Sequence, residues 1–155
     1  MAETPLELAY DSAVQALARQ STNLDELRAR TGVLLAAASV STAYLGSEAL
    51  KGSHAGYFDW LAVVCFFGVG IMAVIILWPR SGWLFVVDAV SLIRDYIDLA
   101  NPPELERIRR ELALHFGYNY RYNQKRLDFL YWCVQLASFL LVVEIVAWLI
   151  SLSEK

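Results

Sequence analysis

Cysteine and histidine are scarce in this chain, with two of each in 155 residues. Cys65 and Cys133 lie in different apolar runs, and His115 has no second histidine or cysteine at metal-ligand spacing. A disulfide framework and a Cys/His metal centre are both excluded. The sequence also lacks G-x-S-x-G, H-E-x-x-H, C-x-x-C and the glycine-rich phosphate loop. Every plausible acid or base except one lies on a charged polar segment, so nothing points to an enzyme, a cofactor or a metal. Met1–Arg30 carries acidic residues early and no apolar core ahead of a small-residue cleavage site, so it does not read as a signal peptide.

Apolar residues are what the chain has in quantity. It is 57% hydrophobic and 19% charged, with a mean hydropathy of +0.42. That is too apolar for most soluble domains and too charged for a chain wholly inside a bilayer. From Trp60 to Trp78 nineteen consecutive residues, WLAVVCFFGVGIMAVIILW, carry no charge, and Pro79 and Arg80 follow. A hydrocarbon layer of about 30 Å needs about 20 apolar residues in a helix, and tryptophan favours both interfaces. Residues 60–78 therefore predict a membrane-spanning helix. Two further spans are expected at 32–50, with Glu48 at the outer headgroups, and at 129–152, long enough to cross with tilt although Glu144 lies inside it.

The polar segments read as helices at about 5–30, 83–99 and 103–128, with no strand needed anywhere. Thr4-Pro5-Leu6-Glu7 combines an N-cap, a proline at the first helical position and a capping-box glutamate. Asn23–Glu26 repeats the capping pattern, so the helix either restarts there or runs straight on. Trp83–Leu99 places Asp88, Ser91, Asp95 and Asp98 on one face and Val86, Val90, Ile93 and Ile97 on another, the pattern of an amphipathic helix. Asn101-Pro102-Pro103-Glu104 is a stop and a new start, after which Leu105, Ile108, Leu112 and Phe116 mark one stripe. The expected fold is all-α: one membrane domain over residues 1–155, with three transmembrane helices continuing into a cytoplasmic helical bundle.

Eleven of the thirteen basic residues (Arg19, Arg28, Arg30, Arg80, Arg94, Arg107, Arg109, Arg110, Arg121, Lys125 and Arg126) fall on one side of the three spans, and only Lys51 and Lys155 on the other. Basic residues mark the cytoplasmic side. The N-terminus is thus expected in the cytoplasm and the C-terminus outside.

Three constellations stand out. Gly32, Ala36, Ser39, Ala43 and Gly46 recur at spacings of four and three, a smooth seam for packing against the third span or against copies of the chain. Cys133, Ala137, Leu140, Glu144, Ala147 and Ser151 form a comparable stripe on the third span. Glu144 itself is the sharpest candidate, because an ionised carboxylate in hydrocarbon needs a partner, a proton or a water-filled path. Tyr44 falls at similar depth as a hydrogen-bond donor, and Gln135 reads as interhelical glue. Last, His115–Arg126 interleaves Tyr118, Tyr120 and Tyr122 with Arg121, Lys125 and Arg126. This mixture is read first as an anchor in the inner headgroup region; the alternative is the phosphate and base of a nucleotide, for which no glycine-rich phosphate loop accompanies it.

Leu24–Gly46 (LDELRARTGVLLAAASVSTAYLG), Pro79, and Asn119, Asn123 and Lys125 together resemble a broad group of small bacterial membrane proteins. The group includes the transmembrane effector domains of cyclic-nucleotide antiphage systems, of the Pycsar type, and the related SLATT domains. The resemblance covers most of the chain as a hydropathy pattern with a few polar positions. It implies homo-oligomerisation in the bacterial inner membrane and damage to that membrane once a nucleotide signal or infection is sensed. This chain departs from it in having no recognisable cyclic-nucleotide-binding domain, so a cyclic nucleotide would act on the small cytoplasmic bundle or through a cytoplasmic protein partner. Lipid bilayer is the expected surrounding, with no nucleic-acid polymer as partner. The expected function is a self-associating membrane-perturbing effector, set against an ion- or proton-conducting transport protein using Glu144 and a non-catalytic scaffold docking partners on its cytoplasmic helices.

The basic-residue asymmetry predicts that a cysteine placed near the N-terminus is shielded from an impermeant thiol reagent in intact cells, while one at Ser53 is labelled. The reverse pattern would overturn the assignment.

Overall fold

The computed structural model describes residues 4–49, 51, 56–79, 82–85, 90, 93–94 and 103–154. Among these no strand occurs, and the chain order is α1 (Pro5–Ser41), a π-helical segment (Thr42–Gly46), α2 (Ser47–Ala49), α3 (Tyr57–Leu77) and α4 (Leu105–Ser153). Where the sequence suggests one domain, the residues cluster into two compact units. Unit 1 comprises Met1–Leu24 with Arg80–Asp128, and unit 2 comprises Asp25–Pro79 with Phe129–Lys155.

In unit 1, α1 opens as its capping box dictates. The Thr4 backbone N–H donates to Glu7 Oε2 at 3.1 Å and the Glu7 N–H to Thr4 Oγ1 at 3.3 Å, so two otherwise unpaired groups of the first turn are satisfied. The helix does not restart at Asn23. It runs through to Ser41, because nothing at Asn23–Glu26 interrupts the backbone ladder. On α4, Arg109 donates to the same Glu7, Tyr10 meets Phe116 at 5.9 Å between ring centroids, and buried Gln20 donates to the Tyr120 carbonyl at 3.1 Å and to Gln124 Oε1 at 2.9 Å. These pairs climb both helices in the same direction, so α1 and α4 run parallel here. The expected helix at 83–99 is corrected at its start, since residues 82–85 carry no regular structure. Buried Asn123 instead grips Leu84, accepting its N–H at 3.3 Å and donating to its carbonyl at 3.2 Å. Most of 86–99, and Asn101-Pro102, lie outside the described residues.

In unit 2, α3 starts where Asp59 Oδ2 accepts the Gly56 N–H at 2.7 Å and stops at Trp78, whose extended ψ of 125° is what a residue ahead of proline adopts. Its buried face is Asp59, Ala62, Cys65, Val69, Ala73 and Ile76. On α4 the buried residues are Leu130, Cys133, Ala137, Leu141, Glu144, Ala147, Trp148 and Ser151, a seven-residue recurrence of the kind that keeps one seam against its neighbours. Asp59–Ser151 and Gly68–Leu140 contacts run α3 antiparallel to α4, and Thr42–Glu144 and Gly46–Trp148 contacts run α1 parallel to it. Two clusters fill the interior: Ala49, Ala62, Ala147 and Trp148, then Ala38, Val69 and Leu141. The small residues in both let the helices approach closely.

Two helices, α3 and α4, are long and apolar enough to cross a membrane. The expected first span is not among them, because α1 as a regular helix ends at Ser41 and its last turns reach back to charged Arg28 and Arg30. The seam on α1 is also corrected. Gly46 packs inward, but Gly32, Ala36, Ser39 and Ala43 are exposed, and the inward face is instead Thr31, Ala38, Gly46 and Ala49. A π-helical turn takes one more residue than an α turn, so it rotates Gly46 off the line of the other four.

A Cβ on Gly46 would lie 3.1 Å from Cζ2 of wholly buried Trp148, so Gly46→Ala should cost about 1–3 kcal/mol through overpacking. Around Gly32 nothing lies within 4 Å, and Gly32→Ala should be neutral or slightly stabilising. Thermal unfolding in detergent reads both. In unit 1 the Thr4 backbone, then Arg109, hold the Glu7 carboxyl below its ordinary range. A lowered carboxyl pKa adds stability above its unfolded value and loses it as pH falls through the folded one. Glu7→Gln should therefore leave less loss of stability between neutral and acid pH than the unaltered chain shows.

Candidate functional site

Glu144 is 0% exposed on α4, among α1 and α3. Its Oε1 accepts the Thr42 hydroxyl at 2.6 Å. Thr42 opens the π-helical segment, so the turn that departs from regular helix is the one that meets the carboxylate. Glu144 Oε2 is buried with no hydrogen-bond partner among the described residues, and so are Ser41 Oγ and Trp148 Nε1. Ser41 precedes Thr42, and Trp148 lies one turn beyond Glu144. From α3, Cys65 sits within electrostatic range of the carboxylate.

No lysine, arginine or histidine forms an ion pair with Glu144 among the described residues; those pairs involve Glu7, Asp25, Glu26, Glu48 and Glu111. An unpaired buried carboxylate costs several kcal/mol to ionise. The site can therefore hold a positive charge.

Two sequence expectations fail here. Tyr44 is 71% exposed, because on the π-helical turn its side chain points away from α4, and Thr42 takes the role expected of it. Gln135 is exposed and bridges no helices among the described residues. Neither cysteine is in a disulfide, and both are buried.

The second buried acid, Asp59, escaped the sequence reading. It caps α3 through Gly56 and accepts the Ser151 hydroxyl. The signal was available: glycine three residues ahead of an aspartate, at the start of the least charged run, is a helix start.

In unit 1, Tyr118, Tyr120, Arg121, Tyr122 and Lys125 are exposed. Arg126 is engaged differently, donating to the Gly82 carbonyl at 2.9 Å and to the Tyr122 hydroxyl at 2.6 Å, with its guanidinium 4.5 Å from the Tyr122 ring centroid. It is a strut for residues 82–85. Comparison with protein-family models, curated proteins and solved structures returns no match to this chain.

Proposed function

We propose that this protein is a three-span bacterial inner-membrane protein that self-associates and perturbs the bilayer. The observation that carries the membrane reading is the distribution of polarity in unit 2. Val33, Val40, Tyr44, Trp60, Val64, Phe67, Ile71, Val74, Trp78, Phe139, Val142 and Leu149 face outward, while Thr31, Asp59, Glu144 and Ser151 are buried. Water would reward the opposite arrangement, since polar groups inside cost free energy and large apolar patches outside drive association. Hydrocarbon rewards this one. The outward residues include those of α1, which is the reason to count the 32–50 segment as a third span although it is less hydrophobic than the others. With eleven basic residues on one side, the N-terminus and unit 1 are cytoplasmic and the C-terminus is outside.

Self-association rests on the exposed positions Gly32, Ala36, Ser39 and Ala43. In a bilayer, small residues on an outward helix face allow a second copy to approach closely. Beside them Leu35, Phe67, Gly70, Ile71, Val74 and Ile75 line an apolar groove of about 410 Å³, shaped to accept a neighbouring helix. The resemblance to antiphage effector domains supplies the sense of the activity: loss of membrane integrity after a cytoplasmic signal, with a cyclic nucleotide or a protein partner acting on unit 1.

Because Ala36 is exposed, Ala36→Leu should leave insertion and thermal stability of the single chain intact while abolishing assembly and dye leakage from reconstituted liposomes. Single cysteines at Ala36 and Ala43, in a chain with Cys65 and Cys133 replaced by alanine, should cross-link between copies. A monomeric mass in detergent with no cross-link at either position would overturn self-association, and extraction of the protein from membranes by alkaline carbonate would overturn the membrane reading.

A further inference from the structure

We propose that Glu144, Thr42 and Ser41 form an exchangeable site for one monovalent positive charge, either a proton or an alkali cation. The inference rests on the membrane reading and goes beyond self-association, since it gives the interior of a single chain a ligand.

Three independent features meet at this place. Glu144 is 0% exposed, and Glu144 Oε2 and Ser41 Oγ, both able to accept, have no partner among the described residues. Buried polar atoms are almost always paired in proteins, so two orphaned oxygens beside the Thr42–Glu144 hydrogen bond mark a place where a ligand completes the bonding. Secondly, the backbone facing the carboxylate is π-helical from Thr42, a conformation found in well under 1% of residues and concentrated at functional sites. Thirdly, the charge is unbalanced: among the described residues no ion pair reaches Glu144, the π-helical segment gives its Oε1 the Thr42 hydroxyl, α3 brings the Cys65 thiol within electrostatic range, and Asp59 is occupied with Gly56 and Ser151.

Charge and chemistry select the ligand class. One carboxylate is neutralised by one positive charge, whereas a divalent ion would leave a net charge buried. Among the described residues no group of three or more His, Cys, Asp or Glu side chains could hold a metal ion. A proton on Oε2 makes a carboxylic acid that can donate to a hydroxyl such as Ser41. An alkali cation takes carboxylate and hydroxyl oxygens, hard ligands suited to a hard ion. Ser41 and Thr42 are half-buried, so they form the outer rim through which the charge exchanges.

The test uses the full chain in lipid nanodiscs. The infrared carbonyl stretch of a protonated carboxyl is measured as the difference between the unaltered chain and Glu144→Gln, across a pH series in sodium, potassium or choline chloride. The expected result is a Glu144-specific acid band that fades as pH rises. If sodium or potassium moves the midpoint and choline does not, an alkali cation competes for the site; if none of the salts moves it, the ligand is the proton alone. Should Glu144→Gln fail to assemble, Thr42→Val provides the comparison, and it should move the midpoint by about tenfold in concentration. A band constant at every pH and in every salt, no Glu144-specific band at any pH, or an unmoved midpoint in Thr42→Val would overturn the site. A chain that does not enter nanodiscs would overturn the membrane reading, and this shows before any spectrum is taken.

Discussion

The hydrogen bond from Thr42 to Glu144 constrains more of unit 2 than any other contact. A buried carboxylate left without a donor costs about 1–3 kcal/mol or more in lost hydrogen bonding alone, so α1 must place a hydroxyl against it. The two residues are 102 apart in sequence, and so are Gly46 and Trp148 one turn further on. Fixing the first pair fixes the second, and the indole then needs a neighbour without a side chain. Gly46 supplies it. The alanines at 38, 62, 137 and 147 follow the same logic, since a hydroxyl-to-carboxylate distance of 2.6 Å demands helices that approach closely.

What could be read from the amino-acid order depended on whether the local backbone is regular. The run from Trp60 to Trp78 and the Thr4–Glu7 capping box were legible because each rests on short-range rules of helix length, interface preference and first-turn hydrogen bonding. The buried stripe of α4 was legible for the same reason, since its helix is unbroken from Leu105 to Ser153. On α1 the 3.6-residue period fails at Thr42–Gly46, so residues aligned on paper part company there. Of the two places open to the seam from Gly32 to Ala43, the third span or copies of the chain, its exposed positions leave the second, and the hydroxyl that meets Glu144 is that of Thr42, which the sequence does not single out, with Tyr44 facing outward. Glu144 itself was evident as a charge among apolar neighbours, whereas Asp59 hid at the edge of its run, where an acid reads as solvated.

Unit 2 handles polarity in two distinct ways. Asp59 is saturated by a backbone N–H and a serine hydroxyl, both oxygens occupied, which makes it part of the frame. Glu144 has one oxygen bonded and one without a partner among the described residues. The same side-chain chemistry is therefore closed at one end of the helix pair and left open along it. Thr31 and Ser138 show the bland alternative, returning their hydroxyls to carbonyls one turn back on their own helices.

Asn123 holds Leu84 through its main chain alone, one bond in and one bond out, and Arg126 takes the Gly82 carbonyl. A grip on backbone atoms is blind to side-chain identity. Over generations the residues at 83 to 85 are free to drift as long as their peptide groups stay in place, whereas Asn123 has no substitute: aspartate lacks the donor, and glutamine places its amide one carbon too far out. Gly82, at a φ of 103°, is bound just as tightly by its backbone conformation. Variation among descendants of this sequence should therefore gather on the exposed faces between fixed points, and a change at Asn123 or Gly82 should be rarer than one at the larger side chains they flank.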